Sequence, residues 1–284
     1  MKRKALVMAV ATTLLWSGSY ILNKLAFQGG IGPLTLSGLR YLLASLFLFC
    51  LGGRTKAEQG KKLPLYVIVV LGVLGYAIAQ GLQYIGQSYL TPTQSSLFLS
   101  VGNTLLVVIV DRLWLRENQT KSDLIKLVFL IAGILLYYYP WGDGSLSVVG
   151  MSFMLLSSIG YAVHMTITRR IMVKKQANPK SLVGQTMLIG SMVMLAVGLP
   201  LEGLPVITLR LLLILMYLSL VSGALGFYLW TRSQQELTAF ESSSINNLML
   251  IEIALMDIVF FKRSFSAIQV IAIVVVFGTI VWIQ

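Results

Sequence analysis

The chain has 284 residues, of which 57% are hydrophobic and only 11% are charged, whereas soluble domains carry about 25% charged residues. The net charge of +12 would suit a nucleic-acid partner, but the Lys and Arg residues lie between apolar segments, so none is expected. A single Cys excludes an internal disulfide, and a single His excludes a His cluster. We expect no cofactor and no metal.

Apolar segments of roughly 20 residues follow one another along the chain, each long enough to cross a membrane as a helix. They predict an all-α integral membrane protein with ten transmembrane helices. The expected spans are 5–27, 33–51, 64–86, 91–111, 123–140, 146–170, 180–201, 208–231, 239–260 and 264–283. Seventeen of the 22 Lys and Arg residues then fall on the side of the N-terminus. This bias predicts cytoplasmic N- and C-termini in a plasma (inner) membrane of the prokaryotic type.

The second half of the sequence repeats features of the first. Shifting the chain by 146 residues lays Asp111–Glu117 over Asp257–Arg263, and a shift of 145 lays Trp16 over Tyr161. Because five is an odd number of crossings, the second copy would insert upside down, which places a solute site near the midplane. We therefore expect two inverted five-helix domains, residues 1–140 and 146–284.

Polar side chains recur on single faces of several helices. Helix 3 carries Gln80, Gln83 and Tyr84 on one face, and helix 1 carries Trp16, Tyr20 and Asn23 on one stripe. These faces either line a solute pathway or bond and pack neighbouring helices together. Further candidates for the wall are Asn103 of helix 4, Tyr161 of helix 6 and Asn247 of helix 9.

Ionisable residues within membrane spans are costly and therefore suggest function. Glu252 could bind an amine, carry a coupling proton or pair with Arg40. Arg40 could hold a carboxylate through two hydrogen bonds or pair with a structural acid. His164 could relay protons, or it could be an ordinary core residue. If Arg40 and Glu252 both reach one cavity, the solute would be a zwitterion such as an amino acid.

Helices 5 and 10 are apolar all round, so they are poor pore linings. They would face lipid or another subunit, and a homodimer through helices 5 and 10 is one expectation.

Three segments are similar to ten-helix, EamA-type members of the drug/metabolite transporter (DMT) superfamily. They are Trp16-Ser-Gly-Ser-Tyr20 with Lys24, Pro33 with Arg40, and Leu113-Trp-Leu-Arg-Glu117. The resemblance implies export or uptake of small metabolites through a pocket lined by helices 1 to 4 and 6 to 9. The sequence departs from the family in two places. Asn103-Thr104 in helix 4 and Met249-Leu250 in helix 9 stand where the family often has a Glu-Pro pair. Lys262-Arg263 replace the acidic residue that usually closes helix 9.

The sequence therefore predicts a secondary transporter of a small metabolite, an amino acid or a related zwitterion or amine, working by alternating access with proton coupling as an option. The alternatives are a channel-like facilitator, an exporter of nucleosides or drug-like solutes, and an intramembrane enzyme with a lipid substrate. The sequence contains no nucleotide-binding loop, nucleophile elbow or HExxH motif. We therefore do not expect the protein to be an enzyme.

Overall fold

The structure of the protein is a computed structural model, which describes residues 2–50, 63–90, 92–114, 121–137, 139, 147–261 and 266–283. These residues form ten helical spans, with no β-strand in the described ranges. The spans are α1 (Lys2–Gln28), α2 (Pro33–Cys50), α3 (Leu65–Tyr89), α4 (Pro92–Trp114), α5 (Lys121–Tyr137), α6 (Val148–Val173), α7 (Pro179–Glu202), α8 (Leu209–Ser233), α9 (Ala239–Asn246 and Leu248–Phe261) and α10 (Ala267–Ile283).

Local sequence signals explain where several helices begin and end. Gly30 adopts a positive φ of 87° just after α1, a conformation that favours glycine. Asn178 caps the first turn of α7 and is followed by Pro179, whose missing N–H costs nothing at that position. Thr238 and Glu241 form a reciprocal capping box at the start of α9. The helix boundaries are therefore encoded locally.

The second half of the fold repeats features of the first. The spans α3 and α8 both have 25 residues, and α5 and α10 both have 17. Within α3 and α8, a nine-residue stretch widens to π-helical hydrogen bonding, Val73–Gly81 in one and Tyr217–Leu225 in the other. Since each unit crosses the membrane five times, the second enters with the opposite orientation. The fold is a pair of inverted five-helix repeats.

Length and apolar composition suit these helices to a membrane. Six of them, namely α1, α2, α3, α6, α7 and α8, are long and apolar enough to cross it, and the described ranges also hold the shorter apolar helices Gln94–Val110 and Ala267–Ile283. Large apolar side chains face outward along them, such as Val7 on α1 and Val274 on α10. The protein is therefore an integral membrane protein.

Equivalent helices of the two repeats, α2 and α7, pack closely together. Glycines allow the approach: an added Cβ on Gly38 would lie 2.7 Å from Leu195, and one on Gly198 would lie 2.9 Å from Leu34. At one end, the Glu202 carboxylate accepts hydrogen bonds from the backbone N–H groups of Leu34 (2.9 Å) and Thr35 (2.7 Å). A carboxylate at a helix N-terminus is favourable because the free N–H groups there carry partial positive charge.

Helices α5 and α10 pack against each other at the edge of the bundle. An added Cβ on Gly133 would lie 2.9 Å from Val276, and the rings of Phe129 and Trp282 meet with centroids 6.3 Å apart. Their opposite faces expose residues such as Val128. Whether a second copy covers this face stays a prediction.

The ninth span is interrupted, whereas the sequence predicts one continuous helix over 239–260. Its first segment ends at Asn246 and its second begins at Leu248, with Asn247 in a turn between them. The Asn247 Nδ2 group donates to Oγ1 of Thr104 on α4 (2.8 Å) and to the carbonyl of Ser243 (3.1 Å). The break therefore sits where α9 is bonded to α4.

Candidate functional site

A cavity lies between the two repeats. Its walls come from α1, α2, α3 and α4 of the first repeat and from α6, α8 and α9 of the second. Nine of the side chains proposed from the sequence line it: Trp16, Tyr20, Asn23, Arg40, Gln80, Gln83, Tyr84, Asn103 and Tyr161. The remaining lining residues are Ser19, Gln87, Leu99, Phe227, Asn246 and Met249. Residues far apart in the sequence thus share one compartment.

Arg40 is the charged residue of this cavity and is only 3% exposed. Its guanidinium donates to the Tyr84 hydroxyl and to Ser222 Oγ (2.6 Å), and it lies 4.9 Å from the centre of the Tyr41 ring. Within the described ranges, no carboxylate lies within ion-pair distance of Arg40, and its Nε has no hydrogen-bond partner. A buried cation bonded only by neutral groups can bind an incoming anion.

Ser222 connects the cationic and aromatic parts of the cavity. It lies in the π-helical stretch of α8, where its carbonyl accepts a hydrogen bond from Trp16 Nε1 (3.0 Å). Its hydroxyl lies 2.6 Å from both Arg40 and Ser19. Irregular helical turns of this kind are frequent at functional sites. No periodic pattern in the apolar sequence of α8 predicts this role.

An aromatic cluster forms the second wall. The Trp16 ring meets Phe227 and Trp230, with centroid distances of 4.8 Å and 5.2 Å, and Phe227 also meets Tyr41 and Tyr76. Trp16 is therefore held by its ring neighbours and by its indole N–H. This wall can stack on a planar or apolar part of a solute.

Amide and hydroxyl groups supply the remaining polar surface. Asn23 Nδ2 donates to Gln87 Oε1 (3.0 Å), while Asn23 Oδ1 and Gln87 Nε2 are buried with no partner among the described residues. The same holds for Asn103 Oδ1 and the Tyr161 hydroxyl. Buried polar groups are normally satisfied, so these atoms are available to a solute or to water. Gln80 instead accepts a hydrogen bond from Tyr41 (2.8 Å).

A smaller cavity adjoins the first at its Tyr20 and Gln87 side. Its other lining residues are Lys24, Phe27 and Ser95. Lys24 and Arg40 are the charged residues lining the two cavities, and no acidic side chain of the described ranges lines either one. The charge that lines these two adjoining cavities is therefore positive.

His164 lies outside the cavity, in the contact between α6 and α3. Its Nδ1 donates to the carbonyl of Leu71 (3.1 Å), and its ring packs against Tyr76 and Gly75. Asn247 is 1% exposed and also lies outside, because its amide bonds α9 to α4. The adjacent Asn246 lines the cavity instead.

Glu252 does not line the cavity and does not pair with Arg40. Its Oε1 accepts a hydrogen bond from Thr13 (2.8 Å) and its Oε2 accepts one from Ser17 (2.6 Å). Both donors belong to α1.

Comparisons with known proteins agree with this architecture. The sequence matches the EamA-like transporter family over residues 3–139 and again over 148–284. It is 24% identical to the uncharacterized transporter YyaM of Bacillus subtilis, over 78% of this chain and 74% of that protein. It is 25% identical to the biotin transporter of Salmonella typhimurium, over 86% and 80%. One solved crystal structure superposes with a TM-score of 0.82 at 15% identity, covering 100% of this chain and 97% of the other. The chain belongs to the EamA-like transporter family, within the drug/metabolite transporter superfamily.

Proposed function

We propose that this transporter carries a small metabolite bearing a carboxylate, bound in the central cavity with that carboxylate on Arg40. The observation that carries the proposal is the buried Arg40 guanidinium, which faces the cavity and has only neutral partners among the described residues. A carboxylate offers two acceptors in the fork geometry of a guanidinium. An amine without an acid group would meet only positive charge from Arg40 and Lys24.

The rest of the cavity favours a solute with an apolar or planar part and with hydrogen-bonding groups. Trp16 and Phe227 supply aromatic surface, and the free acceptor and donor atoms of Asn23 and Gln87 suit an amide-like group. Amino acids, which are zwitterions, provide the carboxylate. No acidic side chain of the described ranges lines the cavity to bind their amine, because Glu252 bonds to α1 instead. A second candidate is a biotin-like carboxylate, whose ureido group could bind the amide pair; a named biotin transporter among the relatives supports testing it.

The transport mechanism that we propose is alternating access by a secondary carrier. Both repeats contribute walls to the cavity, so a movement of one repeat against the other would change its access. The matching π-helical stretches of α3 and α8 provide irregular turns at equivalent positions. We further propose a prokaryotic-type plasma membrane with both termini in the cytoplasm, following the Lys and Arg distribution.

A thermal-shift experiment on purified protein tests the solute class. Alanine, phenylalanine and biotin are compared with their methyl esters, and with an amine, because a solute that binds the folded state raises its melting temperature. We expect at least one acid to stabilise the protein, its ester to have no effect, and Arg40→Gln to abolish the response. Arg210→Gln, a change at an exposed arginine, is the matched control. Equal stabilisation by acid and ester would contradict the proposal.

Flux measurements in proteoliposomes separate a carrier from a channel-like facilitator. Vesicles loaded with unlabelled solute should take up labelled solute faster than empty vesicles, because a carrier returns more quickly when loaded. A facilitator would show no such acceleration. The same assay with nucleosides tests the export of nucleosides or drug-like solutes.

A further inference from the structure

Glu252 and two hydroxyl groups of α1 form a second polar site beside the cavity. The carboxylate accepts hydrogen bonds from Thr13 and Ser17, whose side chains are fully buried. Trp16, which lines the cavity, lies between these residues in the sequence. On α9, Met249 lines the cavity one turn before Glu252. The site is thus outside the solute cavity but on two of the helices that build it.

Each hydroxyl of this site has two acceptors for its one proton. Thr13 Oγ1 lies 2.8 Å from Glu252 and 2.7 Å from the carbonyl of Val10. Ser17 Oγ lies 2.6 Å from Glu252 and 2.9 Å from the carbonyl of Thr13. A charged carboxylate attracts both hydroxyl protons, whereas a neutral carboxyl group lets them return to the backbone of α1. The two hydroxyl groups therefore keep a hydrogen-bond acceptor in both charge states of Glu252, but in the neutral state that acceptor is on α1 and no longer on α9.

No basic side chain of the described ranges forms an ion pair with Glu252. Two basic side chains on the helices that contact this part of α9 lie elsewhere than at Glu252. Lys2 of α1 pairs with Glu241, and Arg112 of α4 is exposed. The described part of α10 has no titratable residue. The remaining titratable groups on α1, α4 and α9 are Arg3, Lys4, Tyr20 and Lys24, together with Asp111 and Asp257, whose side chains lie outside the described residues.

We propose that Glu252, Thr13 and Ser17 form a proton-binding site whose occupancy controls the contact between α1 and α9. A proton fits this site better than a metal ion, because the hydroxyl and carboxylate oxygens are already within hydrogen-bond distance of one another. The described residues also contain no group of three or more His, Cys, Asp or Glu side chains that could hold a metal. Neutralising Glu252 weakens the two bonds that join the helices.

The site gives a route from proton binding to solute movement, a consequence that rests on the proposed function. Glu252 and Arg40 have separate partners, so a proton and an anionic solute do not compete for the same atoms. Both can be bound at once. For a monoanionic solute such as a biotin-like carboxylate, a proton that crosses with the solute leaves no net charge to move, which favours co-transport of the two.

Infrared difference spectroscopy during a pH titration tests the site without any solute. We expect a protonated-carboxyl band in the wild-type protein that is lost in Glu252→Gln and shifted in Ser17→Ala, because a hydrogen-bond donor has been removed. Glu236→Gln, a matched change at an exposed glutamate, should retain the band. A band that survives in Glu252→Gln, or no band in the wild type, would overturn the proposal. Arg40→Gln should keep the band, so failure of solute binding and failure of this site are distinguishable.

Spin-label distances test control of the helix contact. Val7 on α1 and Leu255 on α9 are exposed, so Val7→Cys and Leu255→Cys can be labelled after Cys50→Ser removes the native thiol. We expect the distance distribution to change with pH in this background and to stay constant when Glu252→Gln is added. A pH-dependent change that persists with Glu252→Gln, or no change in either protein, would overturn the control of the contact by Glu252.

Discussion

Asn23 on α1 and Gln87 on α3 are joined by one hydrogen bond of 3.0 Å, although each amide could make more. The bond uses Asn23 Nδ2 and Gln87 Oε1 and leaves Asn23 Oδ1 and Gln87 Nε2 without a partner among the described residues. An amide, ureido or carboxylic group of a solute could bind both atoms. We therefore expect the pair to recognise a hydrogen-bonding group of the solute.

Replacing Gln87 with Leu should weaken binding of the transported acid by about tenfold, the effect of losing a hydrogen bond worth about 1.5 kcal/mol. Isothermal titration calorimetry measures the change. Gln176→Leu, at an exposed residue outside the cavity, should leave the affinity unchanged. Unchanged affinity in Gln87→Leu would remove this amide from the binding site.

Arg40 substitutions should separate charge from geometry. Arg40→Lys keeps the positive charge but cannot bond Tyr84 and Ser222 in the same fork. We therefore expect binding to weaken at least tenfold in Arg40→Lys and to be undetectable in Arg40→Gln. The control is the melting temperature of each variant without solute. We expect it to stay close to that of the wild type, because removing a buried charge that has no ion-pair partner among the described residues does not by itself destabilise a fold. Full affinity in Arg40→Gln would contradict the carboxylate assignment.

Gly190→Ala should destabilise the contact between α7 and α3. The new Cβ would lie 2.3 Å from the Cβ of Tyr76 and 2.6 Å from the carbonyl of Gly72, so the helices must separate. Overpacking of this kind costs about 1–3 kcal/mol, measurable as a lower melting temperature. Gly278→Ala on α10 is the matched control, because its added Cβ meets no atom within 4 Å. It should be neutral or stabilising by up to about 1 kcal/mol.

Glu202→Ala should weaken the attachment of α2 to α7 by leaving the N–H groups of Leu34 and Thr35 without their carboxylate. Loss of a helix cap costs about 1 kcal/mol. Hydrogen exchange should accelerate in the first turn of α2 and stay unchanged in the first turn of α7, which Asn178 caps. Equal protection of the first turn of α2 in the wild type and in Glu202→Ala would show that the cap contributes nothing.

The helices could be predicted from the sequence because long apolar segments have few alternatives in a membrane. The polar face of α3 was also readable: its spacing brings Gln80, Gln83 and Tyr84 to the cavity. The place of Phe227 in the cavity could not be predicted, since one aromatic residue in an apolar helix has no periodic signal. Of Asn246 and Asn247, only the former faces the cavity, because the helix break at Asn247 determines their directions. The partners of Glu252 depend on which helix packs against α9, which one sequence does not state.

Ser222 contacts both Arg40 and Trp16, one through its hydroxyl and the other through its carbonyl. A rotation of α8 would therefore move the hydrogen-bond partner of Arg40 and that of Trp16 together. Adaptation of such a protein to a different solute would then require compensating substitutions near both residues, because the position of one cannot change without the other.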